Sequence, residues 1–336
     1  MTWFTKLTGI NEGSPDQIRE TLSVDGDCLI CPNGRQLAFG RFETPKLSQL
    51  RVSAANCTIE PSESTIREVV GNVTHLHADR SNADALFQVA SQFNLLEMTS
   101  PGVTPEQGVG IYENDYTQGP ACAIACGAGT IYRNYFAHVD GQIGQTAKKQ
   151  IDCSADLGRS LGNRNGRLWG MQNGYLLPTD EGLREISSTL QSMSEDELDQ
   201  LRGELRIGCQ WHADVTIDDA NHKVSQAYCS ALPVAYGEQP KPHWVDFARF
   251  ILDAAYEATF CAAAINASRT GVNTVFLTLL GGGVFGNDDD WIVGAIERAY
   301  AKFHQHGLDI RIVSYGSSNP VVANLAKRLT DQRLTN

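Results

Sequence analysis

Positive charge is scarce in this chain: 27 Lys and Arg stand against 39 Asp and Glu, for a formal charge of −12. Nucleic-acid backbones are held by basic stripes, and none appears here, which argues against nucleic acid as a main partner. An anionic ligand would have to be held locally, by backbone amides. There is also no apolar run long enough to span a bilayer, which argues against a membrane partner. The first residues, Met1-Thr2-Trp3-Phe4-Thr5-Lys6, lack the apolar stretch of a secretion signal. The expected location is cytoplasmic, or a host cytosol reached without a cleavable signal.

Nine cysteines, an odd number without framework spacing, suit a reducing compartment. Cys28 and Cys31 have CxxC spacing, but no second Cys or His pair has ligand spacing. The stretch Asp27-Cys28-Leu29-Ile30-Cys31-Pro32-Asn33-Gly34 reads as a hairpin with an Asn-Gly turn. His75, His77, His212 and His222 form no metal set, so neither a metal nor a cofactor is expected. No Ser or Cys stands in an elbow motif, which leaves acyl chemistry without support.

Glycine is what the chain has in a telling place. The run Val275–Leu280 is apolar and partly β-branched, and it stops at Gly281-Gly282-Gly283-Val284-Phe285-Gly286-Asn287. After Asp288-Asp289-Asp290-Trp291, apolar residues recur at helical spacing through Ala299, so the unit is strand, glycine-rich loop, helix. Bare N–H groups at a helix N-terminus bind phosphate well, since unpaired donors and the helix dipole point the same way. No lysine follows the glycines, so a nucleoside triphosphate with magnesium is not expected.

The rest of the chain alternates strand and helix patterns. Strands are predicted over Ile66–Thr74, Asp84–Asn94, Gln210–Thr216, Val224–Tyr236 and Asp309–Tyr315, a helix or helix pair over Leu183–Leu205 with a capping signal at Ser194–Glu197, and helices over Trp244–Ile265 and Trp291–Phe303. The irregular stretch from Leu95 to Pro120 is long enough to be functional. It leads into a helix that Pro120 is placed to start, with Gln118 and Gly119 before it, which would set a second amide-rich loop opposite the first. With 336 residues, the expectation is a β-rich N-terminal extension over 1–60 and one α/β domain over 61–336, with a surface insertion around 130–205.

These strings resemble a known family, the ADP-ribose-binding macrodomains. Gly71-Asn72-Val73-Thr74 is similar to the family's early Gly-Asp-Ile-Thr turn, Asp84-Ala85-Leu86-Phe87 running to Ser91-Gln92-Phe93-Asn94 to its second strand, and Leu280–Asn287 to its diphosphate loop. The fuller strings Ser91–Glu97, Pro105–Gly108, Thr117–Ala123 and Cys229–Tyr236 look most like a divergent branch of bacterial effectors that remove ADP-ribose from an arginine of ubiquitin. The resemblance implies a three-layer α/β/α sandwich on a mostly parallel mixed sheet. It also implies ADP-ribose as ligand and product, and an ADP-ribosylated protein as partner, with ubiquitin one candidate. The activity implied is that of a mono-ADP-ribosyl-arginine hydrolase, with a non-catalytic ADP-ribose reader as the alternative. Ligand-binding residues are then expected at Asn72, Val73, Gln92, Phe93, Asn94, Gln118, Gly119, Gly281, Gly282, Gly283, Val284, Phe285, Gly286 and Asn287. Asn72 stands where the family usually has an aspartate facing adenine; an amide carbonyl can also accept from the adenine amine.

Cleaving the bond at C1″ passes through an oxocarbenium-like state, and guanidine must leave protonated, so two carboxyl groups are the minimum. Asp288 and Asp290 are the first candidates, because they follow the phosphate loop directly. Glu106 and Asp115 in the long loop are expected to supply the second acid, with Glu97 behind them.

Overall fold

The computed structural model describes residues 1–57 and 61–335. Its centre is a seven-stranded sheet of β1 (Arg41–Glu43), β2 (Thr65–Val70), β3 (Leu86–Ala90), β4 (Gly208–Asp214), β5 (Lys223–Cys229), β6 (Thr274–Leu277) and β7 (Asp309–Ser314). Across the sheet the order is β1-β4-β5-β3-β6-β7-β2. The five strands from β5 to β2 run parallel, and β4 and β1 close one edge antiparallel. The alternating strand and helix patterns require this, because parallel neighbours need a crossover.

Around the sheet stand α1 (Leu47–Ala55), α2 (Val73–Ala78), α3 (Gln118–Ala125), α4 (Gly127–Tyr135), α5 (Asp180–Ser192), α6 (Glu195–Arg202), α7 (Val245–Thr270), α8 (Asp289–Phe303) and α9 (Pro320–Thr335). Neighbouring residues of β3 show the three layers. Phe87 stacks on His77 of α2 at 3.8 Å, whereas Gln88 points the other way and donates to Thr259 Oγ1 of α7 at 2.9 Å. β3 is therefore covered on both faces, which is why it reads as a near-continuous apolar run. The long α7 is rich in alanine over Ala254–Ala264 and buried through most of its length, so it can lie close against the sheet.

Three expectations need correction. The first 57 residues are mixed rather than β-rich: Trp3–Thr8, Pro15–Thr21 and Leu47–Ala55 are helical. Ser14 and Gln17 form a capping box ahead of Pro15, a helix start that outweighs the short apolar runs. Short strands do occur at 23–25, 28–30 and 36–38, where Cys28 and Cys31 flank a hairpin strand and its turn, and Arg41–Glu43 joins the central sheet. The expected boundary at residue 60 falls on 58–60, outside the described residues, as does Asn336. Second, α3 begins at Gln118, two residues before Pro120. Third, the stretch from 130 is no surface insertion at its start, since Thr130, Ile131, Arg133, Asn134 and Tyr135 of α4 are buried. The tail of the long loop, α4 and the N-terminal segment share a second core of Phe4, Leu7, Tyr112, Ile131 and Tyr135.

Candidate functional site

At the carboxyl ends of the parallel strands lies a cleft with two lobes, the place where open α/β sheets gather ligand loops. The first lobe, about 270 Å³, is lined by the end of β3, the α3 start and the glycine loop, with Glu97, Tyr175 and Tyr236. The second, about 590 Å³, is lined by Gly71 to Thr74, Tyr112, Tyr116, Tyr315 and Trp3. Asp115, Thr117, Gln118 and Thr278 line both, so the lobes are continuous.

The glycine loop is shaped from below. Tyr256 of α7 donates to the Thr278 carbonyl at 2.6 Å and accepts from Leu280 N at 2.9 Å. Gly281 has φ of +73°, and a Cβ there would stand 2.5 Å from Ala231 Cβ, so no other residue fits. Asn287 donates through Nδ2 to the Leu232 carbonyl at 2.8 Å, and its N–H reaches the Gly281 carbonyl at 3.0 Å, which closes the loop. Gly281, Gly283, Val284 and Phe285 line the cleft; Gly282, Gly286 and Asn287 shape the loop from outside it. Among the described residues none accepts from the N–H groups of Gly283, Val284 or Phe285. An unpaired row of amides at the mouth of a cleft is an anion site.

Opposite lies the start of α3. The Gln118 side chain accepts from Ala90 N at 2.9 Å and donates to the Gln88 carbonyl at 2.8 Å, so it braces the end of β3; Gln118 and Gly119 line the cleft, and among the described residues none accepts from their N–H groups. Gly119 is as constrained as Gly281: an added Cβ would lie 2.0 Å from the Ala90 carbonyl oxygen and 2.4 Å from Glu97 Oε2.

Of Gln92, Phe93 and Asn94, Gln92 alone lines the cleft, and its side chain is occupied in closing the turn onto Met98, accepting from N at 2.7 Å and donating to O at 3.1 Å. Phe93 is in the core, and Asn94 is fully buried, donating to Gln150 and accepting from Leu96 N. Both were expected at the ligand and sit behind it, because the turn folds inward to complete the core. Asn72 and Val73 do line the second lobe, though Asn72 Oδ1 caps α2 by accepting from Thr74 N at 2.9 Å.

The acids sort differently from the sequence order. Glu106 accepts from Ala147 N at 2.8 Å and lines neither lobe. Asp288 is the N-cap residue of α8 and pairs with Lys241; Asp290 is exposed in the first turn, and neither lines the cleft. Aspartates are favoured at a helix start by the dipole, and that local pull decides their place. Asp115 lines both lobes, with Oδ1 accepting from Thr117 N at 2.9 Å and from its hydroxyl at 2.7 Å.

Glu97 is the outstanding group. It is 2% exposed, lines the first lobe, and its Oε1 has no hydrogen-bond partner. Burial pushes its carboxyl well above the usual range; the Arg133 charge pulls against that, and Asp115 adds to it. A carboxyl so placed holds its proton to higher pH than an exposed one and is suited to donate it. Its sequence signal, an acid inside the apolar run Leu95-Leu96-Glu97-Met98, was legible but ranked behind the loop acids. The aromatic wall of Tyr175, Tyr236 and Phe285, with centroids 5.1 to 5.7 Å apart, had no signal in Tyr175 or Tyr236. The second lobe is rimmed by Tyr116 and Tyr315, 94% and 80% exposed, whose flat faces meet solvent. Among the described residues no group of three His, Cys, Asp or Glu is placed to hold a metal ion, and no helix is long and apolar enough to cross a membrane.

No protein-family model matches the chain, and no curated protein matches it. Among solved structures it is similar to the poly(ADP-ribose) glycohydrolase of Thermomonospora curvata, with 14% identity, a TM-score of 0.47, and coverage of 94% of this chain and 96% of that one. It is also similar to the poly(ADP-ribose) glycohydrolase of Deinococcus radiodurans in complex with ADP-ribose, with 12% identity, a TM-score of 0.45, and coverage of 97% and 100%.

Proposed function

We propose that this cleft binds ADP-ribose and that the protein is an ADP-ribosyl hydrolase of macrodomain type. The observation that carries the reading is Glu97, a buried carboxyl with a free oxygen in a cleft also lined by the glycine loop and the start of α3. The diphosphate lies between the N–H groups of Gly283 to Phe285 and those of Gln118 and Gly119. Adenine takes the second lobe beside Asn72 and Val73, against Tyr315 or Tyr116. The distal ribose sits on Phe285 and Tyr236, with Glu97 beside C1″.

In the reaction the C1″–N bond breaks and water adds across it. Neutral Glu97 delivers its proton to the departing nitrogen, so guanidine leaves as guanidinium, and Asp115 stabilises the oxocarbenium-like carbon and takes a proton from the attacking water. Water's hydroxyl ends on C1″, and the proton reaching Asp115 returns to Glu97 through solvent. The arginine linkage and ubiquitin as its bearer come from the sequence resemblance. The exposed acids Asp289 and Asp290 in the first turn of α8, after the N-cap Asp288, suit a cationic acceptor protein, with Asp288 and Asp290 acting on that protein rather than on the bond.

The test is to incubate the protein with arginine-ADP-ribosylated ubiquitin, and in parallel with serine-linked and glutamate-linked conjugates, and to follow free ADP-ribose. Release from the arginine conjugate alone supports the full reading; release from another linkage keeps the hydrolase and corrects the substrate. Tight binding of ADP-ribose with no release from any conjugate makes the protein a reader, and absence of binding ends the assignment.

A further inference from the structure

Arg133 has no exposed surface. Its guanidinium donates from Nε to the Leu95 carbonyl at 3.0 Å, from Nη1 to Gln210 Oε1 at 3.2 Å and from Nη2 to Thr130 Oγ1 at 3.0 Å, and it lies 3.7 Å from the Tyr228 ring centroid. All four partners are neutral. Burying a cation among neutral groups is costly, and an apolar side chain of the same length would serve packing better.

What Arg133 grips is unusual in its own right. Leu95 has φ of +64°, a left-handed conformation that leucine rarely adopts. The turn is otherwise held by Leu95 N on the Gln92 carbonyl at 2.9 Å and Leu96 N on Asn94 Oδ1 at 3.1 Å. Two residues after Leu95 comes Glu97, whose N–H donates to the Tyr112 hydroxyl at 2.9 Å as the side chain enters the cleft. The strained turn thus sets the direction in which the acid emerges, and its carbonyl is fixed from the far side by Arg133.

We propose that Arg133 is the positioning residue of the cleft acid: it clamps the left-handed Leu95 turn that aims Glu97 and sets a positive charge behind the buried carboxyl. The inference rests on Glu97 being the acid of the proposed reaction, but the two can be tested apart. The charged and titratable groups facing Glu97 are Arg133, Asp115, Tyr112, Cys122, Tyr175 and Tyr228. The tyrosines and the cysteine are kept neutral by burial, which leaves Arg133 opposing Asp115. The arrangement keeps Glu97 protonated for donation without locking the proton in place.

The experiment follows the Glu97 carboxylic C=O band by infrared titration of the ligand-free protein, assigned by its loss in Glu97→Gln. In Arg133→Met the band is expected to persist about one pH unit higher than in the parent. In Arg133→Lys, which keeps the charge but cannot span three acceptors, the titration stays near the parent while amide exchange over 95–98 speeds about tenfold. A merely structural arginine would move neither the titration nor the order of the two variants. Unchanged titration in Arg133→Met, or unchanged exchange in Arg133→Lys, overturns the proposal; if Arg133→Met does not fold, the exchange result in Arg133→Lys decides it. Full infrared and exchange effects in a parent protein that releases no ADP-ribose would sink the hydrolase reading and leave the positioning role intact.

Discussion

At the scale of residues, Glu97 carries a conflict between function and stability. Its carboxyl titrates higher in the folded protein than in the unfolded chain because burial disfavours the charge, so the folded state holds the extra proton. Folded stability therefore falls as pH rises from the ordinary glutamate range toward that raised value. Glu97→Gln removes the penalty: the variant should melt above the parent at pH 8 to 9, with the gap closing near pH 4, as read by thermal scans across pH. The same change should lower turnover by roughly 10² to 10⁴ if the group is the general acid. Gly119→Ala makes the complementary prediction. A Cβ 2.0 Å from the Ala90 oxygen must push α3 away from β3, so ADP-ribose affinity should fall at least tenfold in calorimetry. Glycine's role at 281 and 119 was legible, since loops that must approach a ligand or a strand closely need it. The choice among the acids was not. Sequence proximity favoured Asp288 and Asp290, while the deciding quantity, the burial of Glu97 beside Tyr112 and the start of α3, depends on residues outside its own stretch of chain.

Elements tell a similar story of local and distant causes. The main strands and the helices α7 and α8 follow from period and capping, and the Ser194 to Glu197 capping box sits where its spacing places it, whereas the strand expected over Ile66–Thr74 stops at Val70 because Asn72 caps α2. β1 has three residues and α4 opens on glycine, so neither offers a pattern; both are stabilised by what packs on them. The N-terminal segment, without any catalytic signal of its own, shapes the loop that carries Asp115. Glu12 accepts from Val109 N at 2.8 Å, Gly110 N at 2.7 Å and the Tyr135 hydroxyl at 2.7 Å, while Trp3 donates to the Val109 carbonyl at 3.1 Å and lines the second lobe. Glu12→Ala leaves three donors without their acceptor. It should cost about 2 kcal/mol of stability and weaken ADP-ribose binding through a loosened 105–117 loop, an effect that proteolysis of that loop would also report.

The whole molecule is held on its α7 face by a charge network. Glu257, 2% exposed, meets Arg51 Nε at 2.6 Å, Arg298 Nη1 at 2.5 Å and Lys302 Nζ at 3.0 Å; Asp199 reaches the same three cations and so ties α1, α6, α7 and α8 together. Burial alone would raise the Glu257 carboxyl, but hydrogen bonds from Arg51 and Arg298 bring it below the usual range. On the opposite face His77 is pushed down to about 4 by burial, with Nδ1 on the Val73 carbonyl at 2.8 Å. A depressed histidine favours the unfolded state as pH falls below its unfolded value, and depressed carboxylates do the same below theirs. The contributions of these groups should therefore be lost in two stages, by roughly 3 kcal/mol at most between pH 6.5 and 4 from His77 and further below pH 4.5 from Glu257 and Asp199, a trend opposite in sign to that of Glu97 and separable from it in the Glu97→Gln background. This architecture supports the cleft, and the claim about the cleft is the one to test most directly. Single-turnover release of ADP-ribose from an arginine conjugate, run with the parent and with Glu97→Gln of equal ADP-ribose affinity, does so. The account predicts release by the parent and a variant slowed at least about a hundredfold; equal rates in the two, or ADP-ribose bound by both and released by neither, would contradict it.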